Sequence, residues 1–390
     1  MRQKMNFRIY KTNMQVWTIK TLICLLLSAT GLIAFGQNKM PGKIHIGFVY
    51  PLSTNGTHAP LDTNNLSIHL LAGVSASEQG ASFAGLSNIV RNGTKGFQFA
   101  GLSNHIGKQA NGGLFAGFLN TYGGGEAFAV AGFGNFASGN VKGAQFAGFA
   151  NIAKEVTGAQ FAGFANIASE VKGPQFAGFM NLSKKDAGIQ FAGFMNKAKD
   201  VKGSQLAGFI NIAGKVKGAQ LAGFINVADS SDYPIGIINI VKNGEKSLGI
   251  STDETLTTML SFRSGGKVLY GIIGLGYNFK NKKEVYAFEA GIGAHFFQSN
   301  RFRLNAEIVG TGLESFKAGE YFKTSFKLMP AFKITPKLEI FGGPAFNYLN
   351  TNTIEGRSLN KSYITSWENK WGNNFQALYV GYGGGIQYLF

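Results

Sequence analysis

"VTGAQFAGFANIASEVKGPQFAGFMNLSKKDAGIQFAGFMN", Val156–Asn196, states nearly the same phrase three times. Its unit is Gly-x-Gln-Phe-Ala-Gly-Phe-x-Asn, followed by a short connector of Lys, Glu, Asp, Val and Gly. The trailing Asn recurs on either side of this stretch. It stands at Asn88, Asn104, Asn120, Asn135, Asn151, Asn166, Asn181, Asn196, Asn211, Asn226 and Asn239, eleven copies in all. The spacing is 16, 16, 15 and 16 residues, then 15 five times, then 13. A glycine three residues before each Asn is present throughout, from Gly85 to Gly236, and a large apolar residue always follows it. Seven copies also carry Gln three residues before that glycine: Gln98, Gln145, Gln160, Gln175, Gln190, Gln205 and Gln220.

So strict a period predicts stacked identical units. Helix is excluded: two fixed glycines per unit would cost about 2 kcal/mol relative to alanine, and no 3.6-residue periodicity is present. The fold class is all-β, with two geometries open. In an antiparallel meander each unit is a strand plus a turn, and the repeats form part of one large barrel. Ala144–Ile152 is long enough to cross a bilayer. In a β-solenoid each unit is one coil, with like stacked on like about 4.8 Å away. Gln and Asn ladders then bond along the stack and Phe rings pile up inside. The glycine permits a corner with positive φ or a bulge. A meander should show a 30-residue super-period, because its turns alternate between two ends; successive connectors look alike instead. Against the solenoid, 15 residues make a small coil. Strict alternation also puts Phe146 and Phe149 on opposite faces unless Ala147-Gly148 is a bulge. Either way the Gln and Asn read as structural rather than as an array for glycan or ice.

The amino end reads as a sorting signal. Arg2, Lys4, Arg8, Lys11 and Lys20 precede an apolar run, Leu22–Phe35, and Ala34-Phe35-Gly36 offers a cleavage site before Gln37. The only cysteine, Cys24, lies inside this leader, and Ile23 before it does not suit lipoprotein processing. A mature chain without cysteine has no disulfide, thiolate metal ligand or Cys nucleophile. It keeps 32 basic against 20 acidic residues. The lysines are scattered singly, which suits soluble sheet edges and excludes a nucleic-acid footprint. Attraction to lipopolysaccharide is the sharper reading of the same charge. The expected organisation is a signal peptide over 1–36, N-terminal strands over 37–79, the repeats over 80–245 and a barrel-like region over 246–390.

From about Leu248 the pattern changes to amphipathic strands. In Val285–Phe297 the residues Tyr286, Phe288, Ala290, Ile292, Ala294 and Phe296 share one face. In Arg301–Gly310, Phe302, Leu304, Ala306 and Ile308 oppose Arg303, Asn305 and Glu307. The last run alternates Val380, Tyr382, Gly384, Ile386, Tyr388 and Phe390. Connectors alternate too: 350–374 is long, Thr335-Pro336 tight, Glu314–Glu320 medium, Gln298–Arg301 tight, Lys280–Glu284 medium and Arg263–Lys267 tight. Long loops outside and short turns inside are the habit of outer-membrane barrels. Seven strands are visible; the eighth is either Ser247–Thr252 or the amino-terminal "KIHIGFVYPLS". An eight-strand barrel is filled by its own side chains.

The chain end, Tyr388 and terminal Phe390, resembles the carboxyl-terminal signature of outer-membrane barrels. That resemblance implies recognition of the last strand by the barrel-assembly machinery. The repeats over about residues 80–240 resemble those of exported surface-repeat proteins of Gram-negative bacteria, built on Gly-x-Gln-x-Ala-Gly-x-x-Asn. That resemblance implies surface exposure and no chemistry.

No enzyme is expected. The five histidines, His45, His58, His69, His105 and His295, form no i, i+4 pair and no metal-ligand spacing. The glycine-rich stretches belong to the repeat register, not to a phosphate cradle. Asp253-Glu254 reads as a solvated turn. Glu289 and Glu307 read as part of an ion network inside the barrel, near Arg303. No catalytic, metal or cofactor residue is assigned. The expectation is a non-enzymatic structural or interaction protein of the cell surface, anchored in the outer membrane, with a glycan or protein ligand of the repeats as its partner. The alternative is a pore, which requires the repeats to join the barrel wall.

Overall fold

The computed structural model describes residues 43–317, 319–368 and 374–390. The leader and Cys24 lie outside them. The chain is about 72% strand and 3% helix, and forms a β-solenoid-like stack of about 12 turns followed by a closed eight-strand antiparallel barrel.

The repeats pair in parallel, each position on its own counterpart: Gln145 with Gln160, Phe146 with Phe161, Asn151 with Asn166, Val156 with Val171. The solenoid is therefore the geometry adopted, and the meander is not. The stack begins before the first recognisable repeat. Thr63–Ser75 pairs in parallel with Ser77–Ala84 and Ser87–Val90. An amino-terminal hairpin, with Gly47 opposite Ser53, covers the first coil through Tyr50 N–H and Ala72 C=O.

The interior is narrow and is filled by small apolar groups and amides. Gln145 and Asn151 are fully buried, as are Val156 and Ala153. The Phe rings do stack, but outside, contrary to the expectation that they fill the coil. Phe149, Phe164, Phe179, Phe194 and Phe209 are 38–42% exposed. A 15-residue coil has no room for a ring once two amide columns occupy it. Both Phe146 and Phe149 point outward because the chain bends at Gly148-Phe149, so strict alternation is broken there.

The corner glycine is needed for close approach rather than for positive φ. A methyl on Gly163 would lie 2.1 Å from the carbonyl oxygen of Gly148 in the coil before, and one on Gly178 would lie 2.1 Å from that of Gly163. Positive φ belongs to the other glycine of the unit, at Gly143 (138°) and Gly158 (142°).

The barrel strands are β1 (Glu245–Asp253), β2 (Thr257–Gly265), β3 (Leu269–Asn278), β4 (Tyr286–Phe296), β5 (Phe302–Glu314), β6 (Tyr321–Thr335), β7 (Leu338–Thr351) and β8 (Phe375–Leu389). β1 closes on β8, with Ile250 opposite Ile386. The eighth strand is thus the one containing Ser247–Thr252, while the amino-terminal run caps the solenoid. Apolar residues face out as read from the sequence: Phe288, Ile292, Ile308, Ile340, Val380 and Tyr388 are exposed. Short turns at 266–268, 297–301 and 336–337 mark one end. The connector between β7 and β8, with a short helix α1 (Ile354–Ser358), marks the other.

The last coil seals onto the barrel. Asn239 donates its backbone N–H to Ser264 Oγ (2.9 Å) and its amide Nδ2 to Ser264 C=O (3.0 Å). Ser264 and its cross-strand partner Gly271 lie near the short-turn end of β2 and β3. They face outward, since Arg263, Tyr270 and Ile272 between them point in.

Candidate functional site

Four places in the described residues concentrate chemistry: the amide columns, the barrel interior, the amino-terminal cap and the aromatic side of the solenoid.

Each Asn of the column donates to the next, as in Asn151 Nδ2 to Asn166 Oδ1 (2.9 Å) and Asn166 Nδ2 to Asn181 Oδ1 (2.9 Å). Its second N–H goes to a backbone carbonyl, for Asn166 that of Phe176 at 2.7 Å. The run is continuous from Asn88 to Asn239. The Gln column runs with opposite polarity: Gln160 donates back to Gln145 (2.8 Å) and Gln175 back to Gln160 (2.9 Å). Leu114 and Ala129 interrupt it, and Tyr122 takes up the break by accepting from Gln145 at its hydroxyl (2.8 Å). Gln98, on the far side of that break, has no partner for its amide. Gln98 apart, these fully buried amides are satisfied chiefly by one another.

The barrel interior holds the expected ion network with different pairings. Glu307 is held by Arg263, through Nε at 2.9 Å and Nη2 at 3.3 Å, and by the Tyr270 hydroxyl at 2.9 Å. Arg303 pairs instead with Glu339 (3.0 Å) and Glu245 (2.6 Å). Glu289 accepts from Ser261 and faces Lys327 at 3.7 Å. His295 bonds Asn305 (2.7 Å) near the 297–301 turn. Asp253 and Glu254 are not a solvated turn. They fold over the barrel mouth, where Asp253 meets Lys323 (2.5 Å) and Glu254 accepts from Tyr379 (3.0 Å). Lys323 is buried, and a carboxylate pair at its head is what makes its burial tolerable. Beside it Tyr321, Leu349, Leu359 and Tyr379 form an apolar cluster that closes the long-loop end. A cavity within this network has a volume of about 20 Å³, about one water's worth.

The amino-terminal cap carries a buried polar cluster that the spacing of the histidines did not reveal. His45 and His69 meet edge to face at 4.4 Å. Asn64 donates to Glu78 (3.1 Å), as does Ser67 (2.8 Å). Burial first, and His45 second, depress His69 to about 4, while burial raises the Glu78 carboxyl despite its hydrogen bonds. His58 is exposed, and His105 bonds Thr121 (2.8 Å) in the next coil. Among the described residues no group of three His, Cys, Asp or Glu has metal-binding geometry.

The aromatic side is the only large open feature of this set. Ring centroids of Phe149, Phe164, Phe179 and Phe194 follow one another at 4.8–4.9 Å, stacked with their planes nearly parallel, and the Phe146 column repeats the pattern at 4.7–5.1 Å. Beside the Phe146 column, over a floor of Ala147-Gly148 and their counterparts, runs an open groove of about 920 Å³. The Ile152 column adds a third apolar row. Exposed lysines flank these rows on both sides: Lys142, Lys172, Lys202 and Lys217 before them, Lys154, Lys184 and Lys199 after them. The solenoid is thus amphipathic in cross-section.

Comparison with protein families, with characterised proteins and with solved structures finds no match to this chain.

Proposed function

We propose that the barrel spans an outer membrane and anchors the solenoid to it, so that the protein is a non-enzymatic structural or interaction component of the cell envelope. The observation that carries this reading is the barrel's inverted polarity. Arg263, Arg303, Glu307 and Glu339 are inside, while Leu275, Ile292, Ile308 and Phe326 are outside. Such a wall suits hydrocarbon, and its closure leaves no strand edge unpaired. The leader over 1–36 supplies export, and the last strand, ending in Tyr388 and Phe390, is suited to the barrel-assembly machinery. The solenoid joins at the short-turn end, which in such barrels is the periplasmic one. The solenoid therefore stands on the inner side of the membrane, and the long loop with α1 is what reaches lipopolysaccharide and the exterior. The pore alternative needed the repeats in the barrel wall; they form a separate sheet.

Fractionation of the native host tests the anchor: the mature chain is expected in the outer membrane. Recovery as a soluble periplasmic protein overturns the reading. In planar bilayers the purified mature protein is expected to give no steady channel, and stable single-channel steps restore the pore.

A further inference from the structure

We propose that the solenoid lies along the same membrane that holds the barrel, with its Phe149 column, flanked by the Phe146 and Ile152 columns, seated in a phospholipid surface. This rests on the barrel being membrane-embedded.

The barrel wall fixes which way the last coil faces. A methyl on Gly266, in the turn, would lie 2.9 Å from Asp232 C=O and from Pro234 Cδ, and one on Gly244 would lie 1.9 Å from Gly265 C=O. The lysine-bearing side of the coil is thus level with the short turn. A methyl on Gly271, farther up β3, would lie 2.0 and 2.1 Å from the carbonyl oxygens of Gly236 and Ile237. Gly236-Ile237 is the last copy of the Gly148-Phe149 corner, since Asn226 pairs with Asn239. The corner that carries the ring column from Phe118 to Phe224 therefore points toward the middle of the barrel, where the outward residues are Ile273, Leu275, Phe288 and Ile292. The apolar stripe of the solenoid runs into the apolar belt of the barrel.

Three further features fit a lipid surface. The stripe runs the length of the stack, more exposed apolar surface than a water-facing protein ordinarily carries. Lysines border it on both sides, the arrangement by which an amphipathic element sits at headgroup depth and meets anionic phosphate. The polar residues of the Ile152 row are few, His105, Thr121 and Lys197, and they lie at the border of the stripe. A second copy docking on the same corner would have to occupy the space that lipid fills beside the barrel.

The mature chain has no cysteine, so single labels are clean. Phe209→Cys on the ring column, Lys217→Cys on the charged side of the same coil and Ile292→Cys on the barrel belt would each carry an environment-sensitive fluorophore. The full mature protein is refolded into phosphatidylethanolamine–phosphatidylglycerol vesicles with brominated acyl chains. Quenching at position 209 comparable to that at 292, with little at 217, is the expected result. Quenching at 292 but not at 209 overturns the inference and leaves the anchor standing. Loss of quenching at 292 as well overturns both. Label-to-label coupling between protomers at 209, without lipid quenching, assigns the column to a second copy and also overturns the inference.

Discussion

Solenoid and barrel are both built of strands, yet they solve the burial of polar groups in opposite ways. In the solenoid most buried amides are satisfied by their own kind one coil away, Asn by Asn and Gln by Gln. In the barrel each buried charge has a different partner, drawn from a distant strand, as Arg303 from Glu245 and Glu339. The solenoid closes no long loop. The barrel closes one between Ser247 and Gln387 across 140 residues. Repetition therefore makes the solenoid tolerant of losing a whole unit and sensitive within one. The barrel can lose neither a strand nor one member of an ion pair.

The largest contrast should come from deletion. Removing Val156–Glu170 joins Glu155 to Val171, which restores the Glu170–Val171 junction. Asn151 then meets Asn181, and Gln175 meets Gln145. This variant is expected to fold and to keep the heat-modifiable gel mobility of an intact barrel. Removing β5 reverses every later strand, and no heat-modifiable species should form. Equal outcomes for the two deletions would break the comparison.

Next in size is Arg303→Met. It strands Glu339, which is fully buried, and should cost about 3–5 kcal/mol in urea unfolding from detergent. Adding Glu339→Gln should recover part of that. A smaller effect follows from Asn166→Ala, which leaves Asn151 without its acceptor and Phe176 C=O without its donor. About 2 kcal/mol is expected, seen as faster hydrogen exchange in the coils on either side. Phe164→Ala, half outside, should cost about 1 kcal/mol.

The smallest effect is pH-dependent and local. His69 falls from an ordinary 6.5 to about 4 in the folded cap. Its contribution to stability is therefore present above pH 6.5 and lost as pH falls toward 4. The raised Glu78 carboxyl acts with the opposite sign, its contribution fading as pH rises through its own pKa. Hydrogen exchange in Thr63–Ala84 should accelerate, beyond the intrinsic trend, between pH 6.5 and 4. His69→Asn should remove that acceleration.

Much of this was legible because a period reports register directly. The absence of a 30-residue super-period predicted like-on-like stacking, and Gln145 and Asn151 do form ladders. Alternation gave the outward faces of β4, β5 and β8, and connector lengths gave the two ends of the barrel. What stayed hidden depends on dimensions or on distant contacts. The outward turn of Phe149 follows from the width of a coil, which no pattern of residue types states. Gly148 looked like a positive-φ residue, and only the neighbouring carbonyl shows why it has no side chain. Asp253-Glu254 looked solvated because Lys323 is 70 residues away. The candidate surface was legible as a Phe repeat but not as a surface. Its orientation depends on Ser264 and Gly271, which bear no mark of the repeat.

The two ends of the solenoid are closed by unlike devices, a hairpin with buried histidines at one and the barrel wall at the other. Everything between is one phrase in register. Lengthening the gene by one such phrase would move the far end about 4.8 Å and disturb neither closure. Reach, in this protein, is a quantity that unequal crossing-over can change a step at a time, while what it is moored to stays fixed.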